Sequence, residues 1–206
     1  MRKVPTKIDP LSDMGLPSGY RKCEYLESTG TQYILTDFPL NDVRVAVTAM
    51  SRSVINDNHI IGCCTVRQGG FYYLTYWSST WSTGNGPDNI NYLMPDISCL
   101  TMHTFDLGLS LADTLSVDGV ARYTTTYNTT GLSTSTKLPV FARWANEGLS
   151  RGRWLIQQVQ IKQLSSDTLH TLVPALDRSG TPCMYDTTAS KAYYNSGTGQ
   201  FLYKLA

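Results

Sequence analysis

From Tyr20 onward the chain is cut into short runs of β-branched and aromatic residues by turn residues about every ten positions, and helical periodicity is nowhere sustained. Only strands can use runs this short. The clearest is residues 43–49, where Val43, Val45, Val47 and Ala49 share one face while Arg44, Ala46 and Thr48 take the other, the period-two pattern of a half-buried strand. Strand-like runs at residues 115–117 and 120–127 flank Asp118-Gly119, which predicts a tight hairpin because both turn positions need φ above zero. Further strands are expected at residues 31–36, 60–66, 71–77, 103–109, 139–143, 154–163 and 170–173. Roughly twelve short strands predict an all-β sandwich. Composition agrees: charged residues make up 16%, against a usual level of about 25%, and there are 13 tyrosines. At 206 residues, the chain can bury roughly 70% of its unfolded surface without disulfide or metal staples.

The formal net charge is +1 and no basic run exceeds Arg2-Lys3, so nucleic acid is not an expected partner. No apolar run approaches the roughly 20 residues of a membrane-spanning helix, and residues 1–20 show no apolar stretch typical of a secretory signal. The five cysteines, Cys23, Cys63, Cys64, Cys99 and Cys183, follow no zinc or disulfide spacing and are expected as buried free thiols. Pro5, Pro10, Pro17, Gly15 and Gly19 mark residues 1–19 as an extended arm ahead of a single domain at residues 20–206. The polar stretches at residues 78–89 and 124–136 are expected as projecting loops, the second holding the sequon Asn128-Thr129-Thr130.

Catalytic chemistry leaves little trace. His59, His103 and His170 are scattered, and neither a nucleophile elbow nor a zinc-protease helix motif is present. Glycoside hydrolysis needs two facing carboxylates roughly 5 to 9 Å apart, yet Glu24 and Glu27 are three apart, which puts them on opposite strand faces, and Glu147 stands alone. The expectation is a chain with no catalytic residues, no cofactor and no metal. Asn56-Asp57-Asn58 and Asp88-Asn89 offer oxygen ligands suited to calcium, though turn chemistry explains them equally well. The aromatic run Phe71, Tyr72, Tyr73, Tyr76, Trp77 and Trp81 can serve core or sugar platform. Trp81, in the polar stretch, is the expected exposed contact for a glycan or partner, with Tyr76 and Tyr72 beside it.

Two segments look familiar together. Leu16-Pro17-Ser18-Gly19-Tyr20, continuing through Glu24-Tyr25-Leu26-Glu27-Ser28-Thr29-Gly30-Thr31-Gln32-Tyr33-Ile34, resembles the start of a lectin-like module of phage structural proteins and gut bacterial surface proteins. Leu172-Val173-Pro174-Ala175, Gly180, Met184-Tyr185-Asp186 and the run from Tyr193 to Phe201 resemble its end. The module is similar to concanavalin A-like and laminin-G-like sandwiches, which implies a two-sheet antiparallel jelly roll and no enzymatic activity. Leu35-Thr36-Asp37 and Pro174-Ala175 depart from its usual Asp-Thr-Gly and Pro-Cys. The resemblance implies a virion protein assembled in the host cytoplasm, a capsid decoration, head-fibre or tail component. Its arm would hold other virion proteins, its domain would form a homo-oligomer, and host or mucus glycan is a further partner. The alternative is a carbohydrate-binding adhesion module on a bacterial surface. The end motifs themselves read as structural, lying side by side if the first and last strands pair.

Overall fold

The computed structural model describes residues 15–52, 54, 58–65, 70–77, 80–85, 90–110, 112, 114–124, 134–145 and 148–206. They form an all-β sandwich of two sheets with one short 3-10 turn at Leu40–Asp42. The larger sheet has ten strands. In spatial order it runs β10 (Val120–Thr124), β9 (Thr114–Val117), β8 (His103–Leu107), β3 (Val43–Met50), β14 (Leu155–Gln163), β1 (Arg21–Glu27), β15 (Thr168–Leu176), β16 (Pro182–Asp186) and β17 (Lys191–Tyr194). Strand β18 (Leu202–Leu205) adds to β1, and β14 also pairs with β15. The smaller sheet runs β13 (Gly148–Arg151), β12 (Ala142–Ala145), β4 (Asn58–Thr65), β5 (Gly70–Trp77), β6 (Thr80–Asn85) and β7 (Ile90–Met94). Strand β11 (Lys137–Val140) joins β4 and carries β2 (Ile34–Pro39) at its side. Among the described strands only β12 and β4 pair in parallel.

The alternation read at residues 43–49 holds: Val43, Val45, Val47 and Ala49 are buried in β3, whose neighbours are β8 and β14. The Asp-Gly hairpin also forms, with Val117 opposite Val120 and φ of 52° at Asp118 and 78° at Gly119. Such φ values fit the primed turns that follow strand twist. Aromatic rings join the sheets across the core. Trp81 of β6 lies 4.1 Å from Phe105 of β8 and 4.9 Å from Trp154 at the entrance to β14, centroid to centroid.

Residues 78–89, expected as a loop, instead supply strand β6, paired with β5 and β7. Polar composition hid an alternation, because Trp81 and Thr83 both point into the core and threonine suits a pleated surface. The strand expected at residues 139–143 is broken at Phe141, whose φ is 65°. That region costs a non-glycine residue about 1–3 kcal/mol. Burial of its ring, 4.7 Å from Phe201, holds it there. The break lets β11 pair antiparallel with β2 while β12 turns to run parallel to β4.

A second, smaller cluster lies on the far side of the larger sheet. Leu172 and Met184 face the main core, so their neighbours Val173, Ala175, Cys183 and Tyr185 face outward, where Leu16 and Tyr20 cover them. The Tyr20 ring is 5.1 Å from that of Tyr185. The last residues of the expected arm therefore pack on the sandwich, and residues 1–14 lie outside the described ones.

Candidate functional site

The two terminal motifs meet. Ser196 N donates to Tyr33 O at 2.8 Å and Thr198 N to Thr31 O at 3.2 Å, while the Thr31 hydroxyl returns a bond to Thr198 O at 3.0 Å. Asn195 is the hinge of this contact. Its Oδ1 accepts from Gly197 N at 2.8 Å and Tyr33 N at 3.3 Å, and its Nδ2 donates to Gly199 O at 2.9 Å. A Cβ at Gly197 would lie 2.1 Å from Thr31 O, so only glycine allows the approach. On the N-terminal side, Ser28, Thr29 and Gln32 close a bend through the Gln32 carboxamide oxygen, which accepts from Thr29 N at 2.8 Å.

Beside this junction lies a groove of about 490 Å³, lined by Ser179, Thr181, Tyr194, Gln200, Phe201 and Tyr203 together with the backbone of Gly180, Gly197 and Gly199. Its volume falls within the range of small-ligand sites. Two turns and two strands build it. On one side, Asp177 closes a turn by accepting at Oδ1 from Ser179 N, Ser179 Oγ and Thr181 N at 2.7–2.9 Å. On the other, the Tyr194 hydroxyl donates to Asp177 Oδ2 at 3.0 Å, tying the end of β17 to that turn. The Ser179 hydroxyl first, then the Thr181 amide and Tyr194, hold the Asp177 carboxyl at about 2, so it is ionised at neutral pH. Alternation splits the Tyr193-Tyr194 doublet: Tyr193 is 6% exposed and belongs to the core, whereas Tyr194 is 42% exposed. Tyr203 of β18 is 44% exposed. Among the described residues, no Lys, Arg or His lines the groove.

The expected contact residues lie elsewhere. Trp81 has no exposed surface and Tyr76 is 5% exposed; their rings meet edge to face at 5.8 Å inside the core. Burial removes both from the surface, a correction that follows from β6 being a strand. Tyr72 lies on β5, opposite Cys63 and Asn85, and its side chain is outside the described residues. Of the residues weighed for calcium, Asn56, Asp57, Asp88 and Asn89 are outside the described residues. Asn58 instead clamps Arg153, accepting from its N–H and donating to its carbonyl at 3.3 Å. Among the described residues no group of three or more His, Cys, Asp or Glu side chains converges as a metal site would require.

The carboxylates considered for hydrolysis are separated. Glu24 pairs with Lys204 at 2.8 Å and Glu27 with Arg52 at 2.7 Å, while Glu147 and the sequon at Asn128 fall outside the described residues. The histidines are partnered individually: His59 with Thr75, His103 with Asp118 and His170 with the fully buried Asp186, each at 2.7–2.8 Å. Cys23, Cys63, Cys99 and Cys183 are buried, and none of the four is in a disulfide.

No family model matches the chain, and neither a curated protein nor a solved structure matches it.

Proposed function

We propose that this chain is a non-enzymatic structural component of a bacteriophage virion, a capsid decoration, head-fibre or tail component, displaying a concanavalin A-like jelly-roll domain. The observation that carries the reading is the junction of the two terminal motifs. Parts of both motifs on which the resemblance rests, residues 31–34 and 195–199, interlock in space, which supports reading the two ends as one structural unit. A closed sandwich of this kind suits display, with its working part on the surface, and the Pro-punctuated segment ahead of Gly15 suits attachment.

The test is incorporation. Particles assembled with a variant lacking residues 1–15 should lose the protein while the purified variant still unfolds cooperatively; normal incorporation of the truncated chain refutes attachment through the arm. Cleavage of any oligosaccharide by the full chain would overturn the non-enzymatic reading.

A further inference from the structure

We propose that the groove between the Asp177 turn and β18 is a binding site for a neutral glycan, with Tyr194 and Tyr203 as its stacking rings. The proposal rests on the reading of the chain as a display domain whose surface makes the contact. Sugar rings present C–H faces that pack on aromatic rings and hydroxyl edges that exchange hydrogen bonds. The groove offers both. Its exposed aromatic rings are two half-exposed tyrosines, and its polar content includes the hydroxyls of Ser179 and Thr181, the Gln200 carboxamide and glycine backbone without Cβ atoms to block approach. Two other surface hollows, one between Lys22 and Gln158 and one over Thr104 and Ser116, have no aromatic lining among the described residues.

Charge selects the class of glycan. An anionic sugar needs an Arg or Lys fork, and none lines the groove among the described residues. The Asp177 carboxylate stands behind its wall, and Tyr194 touches it directly. A sialic acid or sulfate would meet the negative charge of that carboxylate, whereas a neutral hexose brings only hydroxyls. Asp177 has a second role, as a positioning residue. By accepting from the Tyr194 hydroxyl it fixes the ring plane before any ligand arrives, which lowers the ordering cost of binding.

The test uses the purified full chain titrated with neutral hexose oligomers (cello-, malto-, manno- and β-1,3-gluco-oligosaccharides) beside sialyllactose and heparin oligosaccharides. At least one neutral series should bind at roughly millimolar or lower concentration, and Tyr203→Ala should weaken it about tenfold. Tyr203 is exposed, so its removal should leave the thermal midpoint unchanged. Tyr194→Phe keeps the ring but loses the Asp177 bond, and should weaken binding by a smaller factor. Binding confined to acidic sugars, neutral binding indifferent to Tyr203→Ala, or no binding to any series overturns the proposal. Sugar binding by a protein absent from particles would sink the virion reading and leave the groove standing; incorporation without sugar binding would do the reverse.

Discussion

His59 shows how burial turns one residue into a pH liability. Its Nδ1 is 2.7 Å from Thr75 Oγ1, whose own proton goes to Asn58 O at 2.9 Å, so the neutral imidazole carries its proton on Nδ1 and donates it. Burial first, then the Arg143 guanidinium, pushes the imidazole down to about 3. An unfolded histidine titrates near its ordinary value of about 6.5. Between these values the unfolded chain binds a proton that the folded chain refuses, so stability present above about pH 6.5 is lost as pH falls toward the folded value. The slope from this residue is at most about 1.4 kcal/mol per pH unit. Urea midpoints should therefore drop from about pH 7 to about pH 5, and His59→Gln, which can still hydrogen-bond Thr75, should flatten the decline. An equal slope in the variant would place the acid sensitivity on another group.

Strands and turns were legible where the signal was local. The Val43 alternation and the Asp118-Gly119 pair each settle their own geometry within a few residues. The β6 strand was not, because its burial is decided by Phe105 and Trp154, which arrive from distant parts of the chain. The groove was hidden for the same reason: Tyr194, Ser179 and Tyr203 converge only once β18 returns to β1. The nearest local sign was the Tyr193-Tyr194 doublet, since on a strand one of two adjacent rings must face out. Glycines separate the two kinds of constraint. At Gly119 nothing stands near an added Cβ and the demand is conformational, φ of 78°, so Gly119→Ala should cost about 1 kcal/mol. At Gly197 the demand is steric, since the added carbon meets Thr31 O at 2.1 Å, and Gly197→Ala should cost about 2–3 kcal/mol by forcing the terminal motifs apart. Denaturant unfolding of the two variants checks the ranking, and equal costs would mean that the junction yields easily.

Closure of the whole molecule rests on chain ends meeting late in sequence but early in space. Strand β18 lies along β1, placing Leu205 opposite Cys23 and Leu202 opposite Glu27, and Ala206 N donates to Lys22 O at 3.2 Å. Cys23 has no exposed surface, and burial raises its thiol to about 11. Both effects suppress the thiolate, the only reactive form, so native Cys23 should resist alkylation. A chain ending at Phe201 keeps β1 paired with β14 and β15 but uncovers the edge that β18 protects. Iodoacetamide followed by mass spectrometry should then find Cys23 modified well before Cys63 and Cys99, which lie in the main core between the sheets. Simultaneous labelling of all three would instead make β18 part of the cooperative unit that holds the sandwich together. The same truncation removes Tyr203, so its loss of sugar binding reports on the groove while Cys23 reports on the sheet, and the two readouts separate the ligand contact from the closure of the fold.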